Sequence, residues 1–118
     1  MEIQIEIKSE NISLEFDMFE TNEVKAGETK IKIAEGIQAV YEGGLIQEAF
    51  PAPSIFYVSI DISKEIAIGI ASGLITAWLY DKLKGRKVNE IIIEKTEAEY
   101  DKGEIKRIIV EKIKQKLS

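Results

Sequence analysis

The chain contains neither cysteine nor histidine. Those absences exclude disulfide frameworks, thiol nucleophiles, structural zinc sites, haem ligation and imidazole acid–base chemistry. Two prolines and eight glycines in 118 residues leave little room for linkers, so residues 1–118 read as one domain. A domain of this length hides roughly two-thirds of its unfolded surface and can bury a real core. Basic residues are outnumbered, with 16 Lys and Arg against 21 Asp and Glu. The net charge of −5 and pI near 4.9 argue against non-specific binding to phosphate backbones, and no nucleic-acid partner is expected. The opening MEIQIEIKSE has no basic segment followed by a continuous apolar one, so the expected location is the cytoplasm.

Chemistry-bearing motifs are equally scarce. There is no Asp-rich calcium loop centred on glycine, no P-loop and no G-x-G-x-x-G. Catalysis would fall to Asp, Glu, Lys, Tyr, Ser or Thr, and no pair of these stands out. Glu15, Asp17, Glu20 and Glu23 could hold a hard cation, but on an alternating strand they read as a solvated face. Ser63 and Lys64 are adjacent and would point apart on a helix, unlike a Ser–Lys dyad. Tyr57, Tyr80 and Tyr100 read as amphipathic packing residues. No catalytic residue, metal or cofactor is therefore expected.

What is present is a folding composition, with 45% hydrophobic and 31% charged residues ruling against disorder. Glu, Lys and Ile dominate, a bias shared with thermophilic proteins. Charge is unevenly spread: residues 1–63 hold four lysines against twelve acids, whereas residues 64–118 hold twelve basic residues against nine acids. Basic residues gather near helix C-termini in many proteins; a surface that selects an acidic partner is the sharper alternative.

Residues 2–8 alternate strictly, with Ile3, Ile5 and Ile7 opposite Glu2, Gln4, Glu6 and Lys8, which predicts a half-buried strand. Ile12, Leu14, Phe16 and Met18 alternate again and predict a second strand, paired with the first as a hairpin with one wet face. Ile33, Ile37, Val40 and Tyr41 fall at helical spacing, so residues 30–42 read as a helix stopped by Gly43-Gly44, with a strand at 31–33 as the alternative. Phe50-Pro51-Ala52-Pro53-Ser54 reads as a rigid extended connector. Residues 55–62 predict a central strand and residues 88–95 another. TEAEYD, residues 96–101, is compatible with continuation or with a short returning strand. Asp101 and Glu104 have capping-box spacing, and Ile105, Ile108, Ile109 and Ile113 form the stripe of a closing helix.

The unusual element is the helix predicted over residues 64–84. From Ile66 to Tyr80 it carries no charge, and it is apolar on every face. Only Ser72 and Thr76 are polar, and both can return their hydroxyls to the preceding turn. A sheet in a two-layer domain covers one side of such a helix. The other side needs the chain's remaining elements, a second subunit, a protein partner or lipid. Fifteen uncharged residues span about 22 Å at 1.5 Å each, short of a bilayer core, so a membrane is not the expected cover. Ile66, Gly69, Ile70, Gly73, Ala77 and Trp78 are the candidate interface residues, with Gly69 permitting close approach.

An apolar Gly/Ala helix ending in AWLYDKLKGRK, a strand VNEIIIEK, a short TEAEYD and a closing helix GEIKRIIVEKI follow one another in the second half of the chain. This order resembles the small effector-associated constant-component proteins of prokaryotic conflict systems. The resemblance covers residues 64–118, implies a non-catalytic accessory role beside an effector, and carries over no functional residue.

Together these features predict an α+β fold: an antiparallel or mixed sheet of four to five strands, with two or three helices packed mainly on one face. The expected function is a non-enzymatic interaction or assembly module that pairs with itself or with another protein. A membrane-associated accessory protein and a small enzyme using surface carboxylates are the alternatives.

Overall fold

The alternating isoleucines at the start of the chain form the centre of the molecule. The structure, a computed structural model, describes residues 1–11, 13–46 and 54–118. Strand β1 (Glu2–Ser9) pairs antiparallel with β4 (Ser54–Ile62) on one edge and with β5 (Val88–Ile93) on the other. Ile3, Ile5 and Ile7 lie opposite Ile60, Val58 and Phe56 on one side, and Ile5 and Ile7 opposite Ile93 and Ile91 on the other; all are buried. Each fully buried isoleucine contributes about 1.5–3 kcal/mol of transfer free energy. A one-residue slip would drive Glu2, Gln4 and Glu6 into the core, so this register is firmly specified.

Among the described residues the sheet has six strands in the order β2-β3-β4-β1-β5-β6, and each neighbouring pair is antiparallel. It therefore exceeds the four to five strands expected. Among the described residues three helices accompany it: α1 (Leu14–Phe19), α2 (Ile68–Leu83) and α3 (Lys102–Leu117). Their buried side chains join one core with the inward face of the sheet. Glu2, Gln4, Glu6 and Lys8 face the opposite, uncovered side, as their alternation requires.

The extra strands come from residues 30–46. In place of a helix over 30–42, β2 (Lys30–Ala34) and β3 (Ile37–Ile46) form a hairpin, and β3 pairs onward with β4. Gly36 sits at φ +80° in the turn, a conformation open to glycine and unsuited to a helix interior. The apolar residues Ile31, Ile33, Ile37 and Ala39 also satisfy a period of two, and pairing with β4 selects that period. Gly43 accordingly lies beside a bulge at the Tyr41/Gly43 register shift rather than at a helix end.

The second correction concerns the hairpin expected for residues 12–18. Ile12 lies outside the described residues, and Leu14–Phe19 is a helix burying Leu14, Met18 and Phe19. The reason is steric. Both edges of β1 are already occupied by β4 and β5, so no edge remains for an adjacent strand. Asp17 and Glu20 of this segment pair with Arg86 (2.8 Å) and Lys82 (3.5 Å), tying α1 to the end of α2. The Phe50–Pro53 connector lies outside the described residues, whereas β4 is a central strand as expected.

Helix α2 begins four residues later than expected. Its N-cap is Ala67, because the Ser63 N–H donates to the Gly36 carbonyl at 2.8 Å and holds the start of the predicted segment at the sheet end. Asp101 does cap α3, accepting from the Glu104 N–H at 2.9 Å.

Residues 96–98 return as β6 through a turn at Glu94-Lys95, both in the left-handed region at φ 44° and 69°. Two-residue hairpins require such angles and usually take Asn or Gly there; for other residues they cost on the order of 1–2 kcal/mol each. Glu94 compensates through its contacts. Its N–H donates to the Gln4 carbonyl (2.9 Å), its Oε2 accepts from the Gln4 N–H (2.6 Å), and its Oε1 meets Lys116 Nζ at 3.0 Å. Lys95 has no such side-chain contact among the described residues. Lys95→Gly should therefore stabilise the fold by about 1 kcal/mol, whereas Glu94→Gly should give no gain because it loses the clamp. Urea midpoints measure both, and equal gains would contradict the role given to Glu94.

Candidate functional site

Helix α2 crosses the inward face of the sheet between β4 and β5 and packs beside α3. Its covered side consists of Ala71, Ser72, Ile75, Thr76, Leu79 and Leu83. The Ser72 hydroxyl donates back to the Gly69 carbonyl at 3.2 Å, as its place in an apolar helix predicts. Thr76 Oγ1 does not; it is buried without a hydrogen-bond partner among the described residues.

The other side is open. Ile70 is 61% and Leu74 39% exposed, and Gly69 and Ala77 are exposed beside them. A methyl group added at Gly69 or Gly73 would meet nothing within 4 Å among the described residues, so no described element uses the room these glycines leave. Neither glycine serves close approach inside the domain. At about 100° per residue, Gly69, Gly73 and Ala77 form a row of small residues along the helix. Ile70, Leu74 and Trp78 form the next row, of large ones.

The six candidate residues divide accordingly. Gly69, Ile70 and Ala77 are exposed and Gly73 is half-buried. Ile66 and Trp78 are partly buried against the core, and Ile66 packs over Gly36, where an added methyl group would lie 2.8 Å from its Cδ1. The Trp78 indole N–H is buried without a hydrogen-bond partner among the described residues. A groove of about 530 Å³ runs along the C-terminal half of this face, lined by Ile33, Leu74, Ala77, Trp78, Tyr80, Asp81, Lys84 and Lys102.

The edge of the groove is braced. Tyr80 stacks on Tyr100 with ring centroids 4.6 Å apart, and the Tyr100 hydroxyl donates to the Tyr80 carbonyl at 2.7 Å. Lys102 Nζ lies 4.9 Å above the Tyr80 ring. The tyrosines thus join α2 to the start of α3, a packing role consistent with their amphipathic character.

Two polar features were not legible as sites. Glu15 turns inward from α1, with Oε2 buried and unpartnered among the described residues, beside a cavity of about 100 Å³ that Tyr41 also lines. Burial pushes its carboxyl above the ordinary range. A bond from its own backbone opposes that shift, and the Asp17 charge adds to it. Burial, with the Glu15 charge, also raises the Tyr41 phenol. On the uncovered sheet face, Tyr57 stands over Glu6 in a depression of about 400 Å³ that also involves Gln4 and Ile92. Desolvation and then Glu6 raise its phenol. Only α1 being a helix turns Glu15 inward; an alternating strand would have exposed it.

No helix among the described residues is long and apolar enough to cross a membrane. The open side of α2 carries no charge from Gly69 to Ala77 and is flanked by Asp81, Lys84 and Lys102.

Because burial raises the Glu15 carboxyl in the folded state, its contribution to stability is fully present below the ordinary value of 4.5 and is lost as pH climbs through the folded value. Glu15→Gln should flatten this decline between pH 4.5 and neutrality. Urea midpoints across that range check it, and unchanged slopes would contradict it. No protein-family model, curated protein or solved structure matches the chain significantly, so its own geometry carries the functional reading.

Proposed function

We propose that this chain is a small non-enzymatic interaction or assembly module whose docking element is the open face of α2. The observation that carries the reading is the exposure of Ile70 at 61% within a helix uncharged from Ile68 to Tyr80. A helix resting on a sheet ordinarily turns charged residues outward. Here the outward positions hold Ile70, Leu74, Ala77 and two glycines, a choice that lowers solubility unless the face is covered. The accessory role implied by the resemblance of residues 64–118 to effector-associated constant components points the same way. The absence of histidine and cysteine from the chain fits a role outside catalysis.

Light scattering combined with a hydrophobic dye tests the proposal. The wild-type chain should either self-associate or, as a monomer, bind the dye. Ile70→Lys should abolish whichever behaviour is seen while the fold persists by circular dichroism. A monomer that binds no dye would overturn the assignment.

A further inference from the structure

We infer that the partner of this face is a second copy of the chain, with two α2 helices packed antiparallel about a two-fold axis between Gly73 and Leu74. This pairing rests on α2 being the docking face, and three features favour a copy over an unrelated partner.

The first is that the face is complementary to itself. The large row Ile70, Leu74, Trp78 and the small row Gly69, Gly73, Ala77 lie side by side with the same four-residue spacing. Packing rows of this spacing into one another is the commonest helix–helix geometry. With the axis between Gly73 and Leu74, Ile70 meets Ala77, Leu74 meets Gly73 and Trp78 meets Gly69. Every large residue then faces a small one, twice, as an isologous contact demands. The room is real, since an added methyl group at Gly69 or Gly73 would touch nothing within 4 Å.

The second feature is charge. The helix is uncharged in the middle, with Lys64 and Glu65 just before it and Asp81, Lys82 and Lys84 at its end. An antiparallel pair in the same register brings the exposed Lys64 near the other copy's Asp81 and the exposed Glu65 near its Lys84, while Lys82 stays on Glu20. A parallel pair would set each of these charges beside its own duplicate.

The third feature is that the surroundings admit a second helix. The groove beside Leu74 and Ala77 is open, and its lip is held by the Tyr80–Tyr100 stack. One helix pair lies at the small end of specific interfaces, around 1,200 Å² in total, so the dimer should form and dissociate with concentration.

The lack of native cysteine makes the register directly testable. Under mild oxidation Gly73→Cys should cross-link to itself, because position 73 lies beside the axis. Ile70→Cys should not, since its two copies are offset along the pair by about 10 Å at 1.5 Å per residue. A mixture of Ile70→Cys and Ala77→Cys should give the heterodimer. Ile70→Cys linking to itself faster than to Ala77→Cys would overturn the antiparallel register.

Sedimentation across a concentration series supplies the second readout. Wild type should shift from monomer to dimer, and Gly73→Leu should raise the dissociation constant at least about tenfold. The same substitution should leave the thermal midpoint unchanged or higher, because leucine favours the helix and has open space in the monomer. A wild-type monomer at every concentration would overturn the second-copy assignment. If that monomer binds dye and loses it with Ile70→Lys, the docking face stands and only its occupant is wrong. If it binds none, both fail.

Discussion

Both edges of β1 are in use, and most of the architecture follows from that. β4 and β5 flank it, its isoleucines face one way, and its polar residues face the other. No edge remains for the segment that follows, so that segment coils into α1 and the chain leaves for the far edge of the sheet. The return through β2, β3 and β4 fills one side of β1. The passage from β4 to β5 must then carry the chain across β1, and α2 makes that crossing on the face where the isoleucines need cover.

That position decides how α2 meets solvent. A flat layer contacts one side of a cylinder, and α3 shields part of its flank. Ala71, Ile75, Leu79 and Leu83 satisfy the sheet and the neighbouring helix. Ile70 and Leu74 point away from both. The apolar character of the covered side is a folding requirement. That of the open side is not, and this asymmetry is why function is sought there. The charges in the second half of the chain are partly committed internally. Arg86 and Lys82 hold the acids of α1, Lys116 holds Glu94, and Lys102 lies over Tyr80. Part of the uneven charge along the sequence is thus a set of ties between layers.

Legibility in the sequence depended on whether a segment's pattern admitted one period or two. Residues 2–8 and 105–113 admit one, and β1 and α3 stand where the patterns place them. Residues 30–42 admit both: Ile33, Ile37, Val40 and Tyr41 fit a helix, while Ile31, Ile33, Ile37 and Ala39 fit strands. The alternation of Leu14, Phe16 and Met18 suits a strand as well as any in the chain, yet a six-residue helix buries Leu14 and Met18 four residues apart. At Glu94-Lys95 no residue marks a turn, because the compensation comes from Gln4 and Lys116, distant in sequence.

The sequence alone determined that residues 66–80 are uncharged, that β1 has one apolar face, and that imidazole and thiol chemistry are absent. These are properties of composition and spacing, and no neighbour can alter them. Only the tertiary structure decided which side of α2 is covered, that Gly69 and Gly73 are left unused among the described residues, and that Glu15 Oε2 points inward. Those outcomes depend on which strand edges and helix flanks are already occupied, a matter of contacts between residues far apart in the chain.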